Sequence, residues 1–318
     1  MRIFRHYNDI PEAFKGSIVA IGNFDGVHRG HQALLAETRR LAAERNAIFG
    51  VLAFDPHPQE YFRPEAECFR LTPFRTKARL IAGQGADAMF ALGFDKTMAQ
   101  TSAQDFILDV LIGGVSAGAV VVGADFRFGK GRAGNTAVLG YMCEMEGLGV
   151  TIFPPVEDER HGKVSSSRIR KALKEARPRE AADLLGHFWA IESRVEYGDG
   201  RGRAIGIPTA NMRIDGYLAP AFGVYAVRAT IMEDETPAGR FGGVANLGIR
   251  PMFESPVPLL ETWLFDFCGD LYGKHLAVEL VEYLRPEARF DGLTALKSQI
   301  EADAEAARKC LATRSFAE

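Results

Sequence analysis

Two histidines spaced around a glycine, in His28-Arg29-Gly30-His31, are the residues whose types and spacing most directly suggest chemistry. They close a run that begins Gly22-Asn23-Phe24-Asp25-Gly26-Val27. The run follows a short apolar stretch, Ile18–Ile21, and leads into an amphipathic segment containing Leu34, Leu35, Thr38, Leu41 and Ala42. Glycine lets a backbone turn sharply and approach a ligand closely. A helix start presents unpaired N–H groups and partial positive charge, which suit a phosphate. Histidines placed there add donors aimed at developing negative charge. The run lacks the Gly-Lys-Ser/Thr ending of the P-loop. The chemistry suggested is nucleotidyl transfer, with attack on an α-phosphate and pyrophosphate leaving.

A second constellation is Gly198-Asp199-Gly200-Arg201-Gly202-Arg203-Ala204-Ile205-Gly206-Ile207-Pro208-Thr209-Ala210-Asn211. Successive glycines can gather backbone N–H groups around phosphate. Thr209 and Asn211, two residues apart after a proline, would point neutral oxygens at a common Mg²⁺ on an extended backbone. Three further segments carry weaker signals. Phe54-Asp55-Pro56-His57-Pro58, with Tyr61 and Phe62 close behind, suits a flat heterocycle and equally suits a proline turn beside core aromatics. Val122-Gly123-Ala124-Asp125-Phe126-Arg127-Phe128 reads alone as a turn. Ser165-Ser166-Ser167-Arg168-Ile169-Arg170 suits phosphate oxygens, and equally a serine cap with a solvated basic face.

The elements that must position these groups fall into two styles. Up to Leu185, apolar strand candidates (Ile18–Ile21, Ile48–Phe54, Ala88–Leu92, Ala119–Val122, Val150–Phe153) alternate with helical ones (His31–Glu44, Thr76–Ala82, Ala103–Leu111, Ser167–Glu175). That alternation predicts a mostly parallel sheet covered by helices, with ligands beyond the carboxyl ends of its strands. From Gly186 the pattern becomes closely spaced strand candidates: Phe188–Val195, Val224–Met232, Gly242–Asn246, Glu261–Phe267 and His275–Tyr283. Turn residues separate them and a helix from Leu293 to Cys310 closes the chain, which predicts a small antiparallel barrel. A length of 318 residues suits this division into 1–185 and 186–318.

Composition excludes several function classes. A net charge of −3 supplies no basic field for nucleic acid. No apolar run approaches the roughly 20 residues that span a bilayer, and the polar N-terminus lacks a signal-peptide core. Cys68, Cys143, Cys268 and Cys310 are widely spaced and read as reduced thiols. A cytoplasmic enzyme is the expectation, with small-molecule partners, no nucleic acid and no membrane; a homo-oligomer is compatible with the sequence.

The ten residues from Gly22 to His31 resemble the flavin-adenylylating domain of bacterial bifunctional riboflavin kinase/FAD synthetase enzymes, within the superfamily marked by His-x-Gly-His. Ser166, Ser167 and Arg170 resemble that family's Ser-Ser-Thr-x-x-Arg pattern, with Ser167 in place of threonine; Asp125 stands where some relatives have asparagine. The glycine-rich run ending Pro208-Thr209-Ala210-Asn211 is similar to the riboflavin kinase signature. Gly243-Val244-Ala245-Asn246-Leu247-Gly248-Ile249-Arg250-Pro251 is similar to a second kinase segment, with Ile249 and Met252 replacing common threonines. Glu261-Thr262-Trp263-Leu264-Phe265-Asp266 matches the region of the catalytic glutamate.

The resemblance spans nearly the whole chain. It implies a Rossmann-like α/β nucleotidyltransferase domain, then a six-stranded antiparallel β-barrel kinase domain with a C-terminal helix. It also implies phosphorylation of riboflavin to FMN by ATP, followed by adenylylation of FMN to FAD, with Mg²⁺ in both steps. His28, His31, Ser166, Ser167 and Arg170 would surround ATP phosphates, the histidines stabilising transition-state charge, with Asn23, Phe24, Asp25, Gly26 and Gly30 as further cofactor-binding residues of the loop. Pro56, Pro58, Phe62 and Phe128 would lie on the flavin side, and Asp125 would contact bound cofactor. In the kinase, Gly198, Gly202, Arg203 and Gly206 would cradle nucleotide, Thr209 and Asn211 would hold Mg²⁺, and Glu261 would act as general base.

Overall fold

The computed structural model describes residues 1–198, 206–233, 236–249 and 258–313. The chain forms two compact units: Met1–Glu67 with Thr72–Ser165, and Cys68–Leu71 with the chain from Ser166 onward.

In the first unit, strands β1 (Arg2–Phe4), β2 (Ile18–Ile21), β3 (Phe49–Phe54), β4 (Ala88–Leu92), β5 (Ala119–Gly123) and β6 (Gly149–Phe153) form one sheet in the order β1-β4-β3-β2-β5-β6. Every pairing in it is parallel. Side chains alternate between the two faces. Val19, Ile21, Leu52, Phe90, Val120 and Val122 pack with Phe106, Ile107, Leu139 and Cys143 on one face. Ile18, Ala20, Val51, Met89 and Val121 pack with Leu34, Leu35, Ala42 and Ile81 on the other. Strands covered on both faces read as continuous apolar runs, which is why the sequence marks them well.

The covering helices are α1 (Arg29–Glu44), α2 (Pro58–Phe62), α3 (Phe74–Gly83), α4 (Lys96–Gln100), α5 (Ala103–Asp105) continuing as a π-helical stretch, Phe106–Gly114, and α6 (Thr136–Met145). A short hairpin, β7 (Glu157–Asp158) with β8 (Gly162–Lys163), follows β6. The neighbours of β2 are β3 and β5, from which the sheet grows in opposite directions. The switch point of the sheet therefore lies at β2, whose carboxyl end runs into Gly22.

The second unit holds α7 (Ser166–Lys174), α8 (Pro178–Leu185) and a barrel of β9 (Ala190–Glu196), β10 (Ala210–Arg213), β11 (Gly223–Glu233), β12 (Thr236–Ile249), β13 (Pro258–Leu264) and β14 (His275–Arg285). The barrel closes in the order β10-β13-β12-β11-β14-β9, and every pairing is antiparallel. Val195, Met212, Leu260 and Leu247 are register partners across four adjacent strands and fill its interior. The terminal helix α9 (Leu293–Ala312) sets Ala304 and Ala307 against Val224, Ala226 and Val244 on the outer face.

The structure corrects the sequence reading in several places. Strand β10 has no counterpart among the expected strands, because Ala210–Arg213 is short and sits inside a glycine- and proline-rich run. Helix α6 also escaped, since Gly140 interrupts it and only Leu139 and Cys143 are buried. Strand β12 extends well beyond Gly242–Asn246 despite Pro237, Gly239 and Gly243. Pairing with β11 overrides that composition, and Gly243 is needed where a Cβ would lie 2.5 Å from the Trp263 carbonyl oxygen. Helix α1 begins at Arg29, two residues before the expected His31. Helix α8 ends at Gly186, whose φ of 78° supplies the left-handed cap. The first barrel strand starts at Ala190, and α7 and α8 belong to the second compact unit.

Candidate functional site

The loop after β2 is wound by backbone conformations that side chains rarely adopt: Phe24, Gly26 and Val27 all have positive φ. Thr72 holds it there. Its hydroxyl accepts from the Gly26 N–H at 2.9 Å and donates to Asp25 at 3.3 Å, and the Thr72 N–H donates to Asp25 at 3.0 Å. Asp25, 2% exposed, therefore acts as an internal staple of the loop, while Asn23 is exposed. Sequence reasoning missed Thr72, because nothing local links positions 46 residues apart.

His28 is the N-cap of α1, and its Nδ1 accepts from the His31 N–H at 3.2 Å. An accepting Nδ1 leaves the proton of the neutral ring on Nε2, so that edge becomes a donor. The His28 and His31 rings stack at 3.5 Å with 14° between planes. Phe24 meets His31 edge-on at 5.2 Å and forms its floor. Gly30 eases this stack, because a Cβ there would stand 3.2 Å from the His28 ring, a tight contact that the ring would have to yield to. Arg29 turns away and pairs with Asp158 of β7 at 2.8 Å. The arrangement places two imidazoles at the amino end of α1, where the helix dipole favours an anion.

The residues expected on the flavin side surround one aromatic run. The Asp55–Pro56 peptide is cis, and Pro58 opens α2 behind the His57 cap. Phe62, 63% exposed, packs on Phe94, and the run continues through Phe54 and Phe106 to Phe128. Phe128 is only 6% exposed and stacks on Phe126. Phe62 is thus the open end of the run and Phe128 the core end. Asp125 is exposed and pairs with Lys163 at 3.0 Å.

Ser166, Ser167 and Arg170 open α7 in the second unit. The Arg170 guanidinium donates to the Phe69 carbonyl at 2.7 Å and lies over the Phe69 ring at 5.0 Å.

In the barrel, alternation along β13 sends Leu260, Thr262 and Leu264 inward and Glu261 outward. Register then assembles a polar row on the outer face: Asn211 of β10 lies opposite Glu261, and Glu261 lies opposite Asn246 of β12. Such partners hold their Cβ atoms about 4.5–5.5 Å apart. Asn211 is 6% exposed, and its Nδ2 points to the Thr209 carbonyl at 3.5 Å. Gly198 makes room for it, since a Cβ would lie 2.3 Å from that Nδ2. Gly206 is exposed with φ of 79°. Gly202 and Arg203 lie outside the described residues, as does Met252.

Thr209, Asn211 and Glu261 offer hydroxyl, carboxamide and carboxylate oxygens, a donor set that suits Mg²⁺. Among the described residues, there is no group of three or more His, Cys, Asp or Glu that could hold a metal ion. Asn246 was noticed in the sequence only as part of a similar segment; its place beside Glu261 follows from strand register.

A histidine pair at the switch point of a parallel sheet and a polar row around Glu261 on a closed antiparallel barrel define a two-domain protein with one polar site on each fold. The FAD synthetase family matches residues 10–168, and the riboflavin kinase family matches residues 185–311. The chain is 38% identical over 310 residues to the bifunctional riboflavin kinase/FMN adenylyltransferase of Escherichia coli K12, covering 97% of each. It is 36% identical over 313 residues to the protein of that name from Haemophilus influenzae, covering 97% of this chain and 98% of that one. The chain belongs to the bifunctional riboflavin kinase/FMN adenylyltransferase family. A crystal structure described as a macrolide-efflux protein from Streptococcus pneumoniae shares the fold, with TM-score 0.84, 30% identity, and coverage of 96% of this chain and 98% of that one. Among the described residues of the present chain, no helix is long and apolar enough to cross a membrane.

Proposed function

We propose that this chain makes flavin cofactors in two ATP-dependent steps, riboflavin to FMN and FMN to FAD, with the kinase from Gly186 onward and the adenylyltransferase before it. The observation that carries the reading is the occurrence of both family matches in one chain, one after the other.

In the kinase step, Glu261 accepts the proton of the ribityl 5′-hydroxyl as that oxygen attacks the γ-phosphate, and ADP leaves. Gly198, Gly202, Arg203 and Gly206 bind nucleotide. Thr209 and Asn211 would hold Mg²⁺, which neutralises phosphate charge when bound. In the adenylylation step, the FMN phosphate attacks the α-phosphate of ATP and pyrophosphate leaves. His28 and His31 donate to the charge that develops there, aided by the amino end of α1. Ser166, Ser167 and Arg170 are assigned to phosphate binding, and the Phe62 end of the aromatic run, with Pro56 and Pro58, to the flavin ring. Substrates are small molecules, and the protein works in the cytoplasm.

The test is incubation with riboflavin, ATP and Mg²⁺, with flavins resolved by chromatography. FMN and then FAD are expected; unconverted riboflavin would overturn the kinase assignment, and FMN without FAD the other. Glu261→Ala should abolish FMN formation while added FMN still becomes FAD. The double variant His28→Ala, His31→Ala should do the reverse. Loss of both activities in either variant would contradict separate sites.

A further inference from the structure

The polar row on the barrel has a further member. Glu287 lies just beyond the end of β14, and its Oε1 accepts from Asn246 Nδ2 at 3.3 Å. It also lies against Gly248, the next residue of β12 on the Asn246 face, where a Cβ would sit 2.0 Å from Oε1. Glycine at 248 therefore lets the carboxylate settle on the strand and reach the carboxamide.

The backbone bearing Glu287 is itself anchored. Arg285, two residues earlier, forms a forked pair with Asp303 of α9 at 2.9 and 2.7 Å. Asp303 is buried and takes a third bond from Gln299 at 2.9 Å. Arg285 also donates to the Pro286 carbonyl at 2.9 Å and lies over the Phe290 ring. Arg285 belongs to the same transverse row of register partners: Asn211, Glu261, Asn246, Val224, Arg285. A bidentate pair fixes direction as well as distance. The terminal helix thus holds Glu287 in place over Asn246.

We propose that Glu287 is a positioning residue for riboflavin phosphorylation, holding the Asn246 carboxamide by its Nδ2 end so that this donor is kept from Glu261. A carboxamide can present either its NH₂ or its oxygen to a neighbour. An NH₂ turned on Glu261 would take up one side of the carboxylate and weaken it as a base for the substrate hydroxyl. With Nδ2 committed to Glu287, Oδ1 is the end that Asn246 keeps for the row. The inference rests on Glu261 being the base of the kinase step.

The experiment is a double-mutant cycle on the full chain, measuring FMN formation with FMN adenylylation as the internal control of folding. Glu287→Ala should lower the kinase kcat about tenfold through a misdirected amide, with KM for ATP and riboflavin nearly unchanged and FAD formation from added FMN intact. Glu287→Gln should keep most of the activity, because its side-chain carbonyl still accepts from Nδ2. In an Asn246→Ala background, Glu287→Ala should cost nothing further, which is the non-additivity expected of two residues acting through one contact. Equal losses in both backgrounds, a loss confined to KM, or a glutamine variant as poor as the alanine one would overturn the proposal. Wild-type kcat in Glu287→Ala with Glu261→Ala inactive would overturn this proposal alone. An active Glu261→Ala would instead overturn the general-base reading on which it rests.

Discussion

The two polar sites are made by different means. At the end of β2, the site is one continuous piece of chain: a strand, a loop wound through positive φ at Phe24, Gly26 and Val27, and a helix capped by His28. On the barrel, the site is transverse to the chain, with Asn211, Glu261 and Asn246 contributed by three neighbouring strands. A loop site is tuned by local backbone and by what packs directly under it. A strand-face site depends on register, where a slip of one residue would turn Glu261 inward and Thr262 outward. Errors in the first displace one histidine; errors in the second move the whole row.

The sharpest way to break this comparison is to fill the glycine beneath each site. Gly198→Val should force Asn211 from its place, because even a Cβ would lie 2.3 Å from its Nδ2. Displacement of about an ångström at a reacting site costs on the order of 100-fold in rate. We expect that loss in FMN formation alone, read by flavin chromatography. Gly30→Val should act in the opposite domain and more gently, since its Cβ would meet the His28 ring at 3.2 Å and the ring can give slightly. A loss of about tenfold in FAD formation is expected, with phosphorylation intact. If either substitution lowered both activities equally, the sites would not be separately built.

A smaller effect should sharpen the contrast. Thr72→Val removes the hydroxyl that accepts from Gly26 and donates to Asp25, without touching either histidine. Removing these two hydrogen bonds should cost on the order of 1–3 kcal/mol. Denaturant unfolding followed together with both activities should show an early loss of FAD synthesis, ahead of the kinase. Coincident loss of the two would argue against a locally tuned loop.

The smallest expected effect concerns thiols. Burial pushes the Cys143 thiol up to about 11, whereas Cys268 is exposed. At pH 8 a thiol reagent should label Cys268 promptly and Cys143 only on unfolding. Because the folded value lies above the unfolded one, about 8.5, the neutral thiol contributes fully below pH 8.5. That contribution is lost as pH rises towards 11. Equal labelling rates for the two cysteines in the native protein would contradict the burial.

How far each site was legible follows from its construction. The histidine run, the glycines around it and the proline-linked Thr209–Asn211 pair are contiguous, so their types and spacing carry the signal directly. The parallel strands were equally visible, because burial on both faces leaves unbroken apolar runs such as Ile18–Ile21 and Ala119–Val122. Strand β10 was hidden, since four residues within a glycine- and proline-rich run show no strand period of their own. Asp25 illustrates the opposite limit: its bonds to Thr72, 47 residues away, follow only from the fold.

By itself, the sequence carried the two fold styles in their order along the chain and the motif-bearing loop after β2. These are local properties of neighbouring residues, and composition and periodicity encode them. The tertiary structure alone decided the partners. It set His28 against His31 at 3.5 Å, brought Thr72 under the loop, and aligned Asn211, Glu261 and Asn246 into one row with Glu287 beside it. Those relations span up to 50 residues and depend on strand register and packing. No local pattern specifies them, because the energy that selects them comes from burying the sheet and closing the barrel.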